Sequence, residues 1–220
     1  MDYKFKTTPY QHQLDALEKC SKKRDYALFC EMGTGKSKIL LDNIGMLYDE
    51  GRINGAIIVA PKGVYKNWIV QEIPTHLPDH ILCRTFQWVA PSSRTKQDQE
   101  LLDQLYADTR DPALTLFVVN VEAFSSAPGI EEAEKFLSAY KTMFAIDEST
   151  TIKSPGAQRT QNIVRISRMA KYRRIMTGSP VTKSPLDLYS QCEFLDPELL
   201  GHSSFYTFRA RYANMKTINV

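Results

Sequence analysis

"FCEMGTGKSKILL", residues 29–41, sets two glycines, a lysine and a serine between one apolar run and the next. Glycines at such a joint let backbone N–H groups turn toward phosphate oxygens, and the helix that follows adds its positive N-terminal end. A lysine there reaches the outer phosphates, and a Ser/Thr hydroxyl beside it ligates Mg²⁺. Met32, Gly33, Thr34, Gly35, Lys36 and Ser37 are the candidates for this work. The G-x-x-x-x-G-K-[ST] pattern is met from its second glycine onward, with Cys30 in the first glycine's place. The plainer alternative is a glycine turn that only ends a strand, so the flanking context decides.

Upstream of the loop lies "YALFC" (26–30), and downstream an amphipathic helix is expected over 36–49. Further strands are expected at 55–60, 80–89, 114–120, 143–147 and 172–178, most of them nearly unbroken apolar runs. That is the signature of strands covered on both faces of a parallel sheet. Helices are expected between them at 10–22, 64–73, 95–107, 130–140, 157–169 and 186–194. The alternation predicts an α/β fold, a mostly parallel sheet with helices on both faces and ligands at the strands' carboxyl ends. "MFAIDESTTIKSP" (143–155) ends one such strand with Asp147 and Glu148. An aspartate there can hold Mg²⁺ and a glutamate beside it can orient the attacking water. Alone the pair could be a solvated turn; about 110 residues after a phosphate loop, Lys36, Asp147 and Glu148 are the catalytic candidates, with Ser37 and Asp147 the metal ligands.

The bulk numbers fit one globular unit: 220 residues, 43% hydrophobic and 24% charged. A net charge of +3 permits a local basic surface without requiring a nucleic-acid partner. Four cysteines lack any C-x-x-C spacing, as expected of reduced thiols in a cytoplasm, bacterial or phage-infected. No segment approaches 18 apolar residues, so no membrane partner is expected. His76, His80 and Cys83 have near-metal spacing, but Pro78 breaks any helix that would align them, and zinc is not expected.

Several stretches taken together resemble the Swi/Snf-type branch of superfamily-two helicases and translocases. "AIDESTTIKS" has the spacing of that family's D-E-x-x-x-I-K, and "MTGSPVTKSPLDLY" (176–189) that of its T-G-[ST]-P motif III. "IIVAPKGVYKNWIVQE" (57–72) is similar to motif Ia, and "FVVNVEAF" (117–124) more weakly to motif Ib. "TPYQHQLDAL" resembles the Q motif that reads adenine, with Gln13 preferred and Gln11 the alternative. The likeness spans roughly residues 8 to 200 and extends to compact phage-encoded members.

What the resemblance implies is a RecA-like P-loop NTPase domain over 1–200, with 201–220 beginning a connection toward a second RecA-like domain. ATP and Mg²⁺ are then the expected cofactors, and double-stranded DNA the expected partner. Thr177, Gly178 and Ser179 would couple hydrolysis to DNA grip, while Pro61, Lys62, Gly63, Asn67 and Lys183 would contact the duplex. Both lysines have a bland alternative as solvated surface charges. The second domain would supply an arginine finger, for which Arg209 and Arg211 are not candidates. Phe5 is a possible stack for the base, and Trp68 is expected to pack on the sheet. Where the family has D-E-G-H this chain has Asp147-Glu148-Ser149-Thr150, leaving a hydroxyl to link this loop to motif III. Another P-loop ATPase class, or a nucleotide-gated binding module without turnover, are the alternatives.

Overall fold

The computed structural model describes residues 3–107 and 111–213. The chain runs α1 (Gln11–Cys20), β1 (Asp25–Phe29), α2 (Lys36–Asp49), β2 (Gly55–Ala60), α3 (Tyr65–Asn67), a π turn (Trp68–Glu72) and α4 (Ile73–His76). It continues with β3 (Cys83–Gln87), α5 (Lys96–Ala107), β4 (Leu114–Asn120), α6 (Ala127–Ala139), β5 (Thr142–Asp147), α7 (Gln158–Ser167), β6 (Tyr172–Thr177), α8 (Tyr189–Leu195) and α9 (Phe205–Tyr212). Six strands form one sheet in the order β1-β6-β5-β2-β4-β3, every pair parallel.

Each central strand feeds two cores by simple alternation. Ala56, Ile58 and Ala60 of β2 face a core shared with Leu17, Ile39 and Leu40 of α1 and α2. Ile57 and Val59 face a second core with Phe136, Ile163 and Phe194 of α6, α7 and α8. Side chains of a strand alternate between faces, so an unbroken apolar run is what a doubly covered strand requires.

Two charged residues interrupt that rule on β6. Arg173 is buried and ion-paired to Asp25 at 2.7 Å. Arg174, also buried, has no carboxylate among its hydrogen-bond partners. Its guanidinium donates to Asn43 Oδ1 at 2.9 Å and to the carbonyls of Cys20, Lys23, Arg24 and Arg173. The fork thus ties the α1–β1 turn and α2 to β6.

Several expected elements shift. The single helix expected at 64–73 is three pieces ending at His76. Pro74 cannot donate a hydrogen bond and its ring crowds the carbonyl four residues back; Ile73 N instead donates to Trp68 O, widening the turn before it. The helix expected at 130–140 begins at Ala127, because Pro128 lies in its first turn where proline is tolerated. The strand expected at 80–89 shortens to Cys83–Gln87. Helix α9 was not foreseen; Ser204 caps it by accepting from Thr207 N.

A candidate nucleotide site at the strand carboxyl ends

The register brings three loops to one level: Phe29 pairs with Thr177 across β1 and β6, and Met176 with Asp147 across β6 and β5. The loop of the quoted stretch leaves β1 here. Gly33 and Gly35 both hold left-handed backbone, with φ of 76° and 79°, which favours glycine. Helix α2 starts at Lys36. The Lys36 ammonium donates to the carbonyls of Cys30 at 3.0 Å and Glu31 at 2.9 Å, and Thr34 Oγ1 donates to Glu31 O at 2.8 Å.

Gln13 braces this loop from α1. It is 3% exposed; its Nε2 donates to Thr34 O at 3.1 Å and its Oε1 accepts from Tyr10 N at 2.9 Å. A Cβ on Gly35 would stand 2.3 Å from Gln13 Nε2, so the glycine is needed for closeness as well as for φ. Gln11 lies on the surface, donating to Asp15 at 2.8 Å. His12, which sequence reasoning passed over, also donates to Thr34 O at 2.9 Å, and the exposed Tyr10 ring stacks on it. Phe5 packs edge-on to Tyr3 beneath the Lys38 ammonium.

Asp147 closes β5. Burial raises its pKa, as does the neighbouring Glu148 charge, against the lowering pull of a Trp68 hydrogen bond, a Glu148 backbone bond and the Lys36 charge. Glu148 adopts left-handed backbone with φ 53°, alone in this among the described non-glycine residues, a strain that tends to mark functional positions. Its Oε2 accepts from Thr177 Oγ1 at 3.1 Å, and Thr177 Oγ1 accepts from Ser179 N at 3.2 Å. Gly178 faces the loop after β1, where a Cβ added to it would meet Met32 N at 3.4 Å and Cys30 O at 3.6 Å.

The hydroxyl link beside Glu148 runs through a residue that sequence reasoning missed. Buried Ser149 donates to Gln191 Oε1 at 2.6 Å, and Gln191 Nε2 donates to Pro180 O at 2.8 Å and Asp187 O at 2.7 Å. Ser149 thus reaches motif III by way of α8. Asp187 Oδ2 fixes the same loop, accepting from Thr182 N, Thr182 Oγ1 and Lys183 N at 2.8–2.9 Å. Burial works against ionising Asp187. The Lys183 and Thr182 hydrogen bonds and the Lys153 charge outweigh it and hold the carboxyl at about 2.

The loop after β2 carries Pro61, Lys62 and Gly63, then α3 with Asn67; Lys62, Gly63 and Asn67 are exposed, as is Lys183 after β6. Asn67 donates to Glu72 at 3.2 Å. Trp68 packs beneath the sheet face, 2% exposed, and its indole N–H donates to Asp147 Oδ2 at 3.1 Å. The trio weighed for zinc is engaged elsewhere: His76 with Thr7, His80 with Asp49, and Cys83 half-buried, its thiol pushed up to about 12 by desolvation. Arg209 lies over Tyr206 on α9, and Arg211 is exposed. No described helix is long and apolar enough to cross a membrane.

The donor set suits Mg²⁺: a serine hydroxyl in the first turn of α2 and an aspartate carboxylate at a strand end, both hard oxygen ligands. No group of three or more His, Cys, Asp or Glu among the described residues could hold a metal by itself. A cation here needs further oxygens, as a nucleotide's phosphates supply.

Residues 11–217 match the SNF2-related domain. A mouse protein, the SWI/SNF-related matrix-associated actin-dependent regulator of chromatin subfamily A containing DEAD/H box 1, is 26% identical over 176 residues, 79% of this chain and 16% of its own length. The RAD54-like DNA repair and recombination protein of Drosophila ananassae is 25% identical over 191 residues, 84% of this chain and 22% of its own. This chain therefore corresponds to a minor part of those relatives. Among solved structures, the Sulfolobus solfataricus SWI2/SNF2 ATPase core in complex with dsDNA superposes with a TM-score of 0.71 at 18% identity, covering 96% of this chain and 40% of that one. It bears out the α/β fold.

Proposed function

This chain belongs to the SNF2-related domain family, and on that premise we propose that it is the first, nucleotide-binding lobe of a DNA-dependent ATPase. The observation that carries the reading is the register that sets the carboxyl ends of β1, β6 and β5 side by side, with the glycine loop leaving the first and the Glu148–Thr177 pair bridging the other two. Binding phosphate would draw the Lys36 ammonium from the Cys30 and Glu31 carbonyls toward the outer phosphates, while the amides of Gly33 to Lys36 cradle them. Mg²⁺ held by Ser37 and Asp147 would neutralise charge developing on the transferred phosphoryl group. Glu148 would orient the attacking water, and its bond to Thr177 would make that orientation depend on the loop of Gly178 and Ser179.

Gln13 would transmit contact with the base to the phosphate loop through Thr34 O. Pro61, Lys62, Gly63, Asn67 and Lys183 would meet duplex DNA on the same edge of the sheet, mostly at phosphates and so with little regard to sequence. The solved SWI2/SNF2 core is a complex with dsDNA, which supports that partner. A second RecA-like domain would cover the nucleotide and add an arginine. The openness of the loop supports this: Met32 is 83% exposed, and a Cβ placed on Gly33 would have no atom within 4 Å beyond the glycine and its chain neighbours.

The test is nucleotide binding and hydrolysis with Mg²⁺, with and without duplex DNA. The chain is expected to bind ATP, to lose that binding at least about tenfold on Lys36→Ala, and to turn over poorly. Adding the remaining part of a two-lobed relative should raise the rate in a DNA-dependent way. Fast hydrolysis by the monomeric chain, indifferent to DNA, would overturn the two-lobe reading.

A further inference from the structure

The exposed loop after β2 and the acidic end of β5 are joined by one bond. Asn67 points to solvent, whereas the next residue, Trp68, turns inward and donates its indole N–H to Asp147 Oδ2 at 3.1 Å. The two residues are 79 positions apart. What aims the indole is the π turn Trp68–Glu72, a form uncommon in proteins and frequent at functional sites. An indole N–H is a donor only, and it sits on a flat ring wedged in the core between β2 and the helices over it. The ring cannot tilt without moving either the backbone at Asn67 or the carboxylate it holds. A bond from a neutral donor to a carboxylate is among the stronger hydrogen bonds, and this one fixes the rotation of Asp147 and hence the oxygen it offers to a cation.

We propose that Trp68 is a positioning residue coupling the DNA-facing loop to the cation-holding carboxylate. Duplex pressing on Lys62, Gly63 and Asn67 shifts the segment that begins α3. The indole carries that shift to Asp147 and changes how tightly the cation is held with the nucleotide. Coupling of this kind is reciprocal, so Mg²⁺ and nucleotide at Asp147 alter the loop's grip on DNA by the same factor. This rests on the nucleotide-site reading above and adds to it a residue whose side chain touches neither DNA nor nucleotide.

The chain has two tryptophans, so its indole N–H resonances in a ¹⁵N–¹H spectrum are two, assigned by Trp68→Phe. In the wild-type chain the Trp68 indole signal is expected to move on adding Mg²⁺ with ADP, and to move separately on adding a short blunt duplex without nucleotide. Trp68→Phe keeps the ring's bulk and removes the donor. Its ADP affinity in EDTA should match wild type, its Mg²⁺ requirement for tight ADP binding should rise by about tenfold, and duplex should no longer change that requirement. A Trp68 signal indifferent to duplex in wild type would overturn the coupling, a test that does not depend on the variant folding. A folded Phe variant with wild-type Mg²⁺ requirement would overturn it equally. Failure of the wild-type chain to bind ADP would instead sink the nucleotide-site reading itself.

Discussion

Gly35 meets two demands at once, left-handed backbone and an open face against the Gln13 amide. Gly35→Ala violates both, with strain of about 1–3 kcal/mol from backbone alone and a methyl pressed against a buried side chain. The expected result is a lower thermal midpoint and loss of nucleotide binding, read by calorimetry and by titration with a fluorescent ATP analogue. An alanine variant that bound as well as wild type would show the loop to be loosely held. The "GTGKS" run announced this loop without help, since its chemistry is carried by residue types in fixed order. Gln13's two hydrogen bonds, to Tyr10 and Thr34, were not legible, because both partners are backbone atoms and Thr34 is twenty-one positions away. Nor was the Ser149–Gln191 link: the sequence offered a hydroxyl where the family has histidine, but its partner sits on α8, forty-two positions away.

At the scale of elements, the loop from β6 to α8 is built around one carboxylate. Asp187 is held below its ordinary 3.8, at about 2, so its ionised form stabilises the folded loop. The sign follows: that contribution is whole above pH 3.8 and disappears as pH falls toward 2. Asp187→Asn should therefore be less stable than wild type at neutral pH, with the gap closing between pH 3.8 and about 2. Urea midpoints of the two proteins across that range check it; a gap that stayed constant would mean the hydrogen bonds matter and the charge does not. Helix and strand positions were mostly readable from periodicity, and α2 was placed to the residue. The segment after β2 was not. A local pattern of apolar spacing says helix, while Pro74 and the inward turn of Trp68 impose three short pieces, a conflict that only packing resolves.

For the molecule as a whole, the parallel α/β architecture followed from the near-continuous apolar strands, yet strand order did not, because periodicity carries no information on which strands are neighbours. The strand expected at 172–178 carries two arginines, and both lie inside. Arg174 gathers a side-chain oxygen and four backbone carbonyls without a counter-charge. Replacing a whole buried ion pair by apolar residues is often harmless, but here a lone ion would go and its acceptors stay behind unpaired. Arg174→Leu should cost at least about 3 kcal/mol, measured by denaturant unfolding; a loss under about 1 kcal/mol would mean those carbonyls find other donors.

The sheet order has a consequence for how the protein is made. Strand β1, which launches the glycine loop, lies at the sheet's edge, and among the described residues its one strand partner is β6, synthesised after the other five. A nascent chain of 150 residues already carries the glycines, Lys36, Ser37, Asp147 and Glu148. It still has no strand to hydrogen-bond with β1 until residues 172–177 leave the ribosome. The loop proposed to bind nucleotide is thus written early and assembled late, and on that proposal ATP would meet a complete site only after β6 has docked.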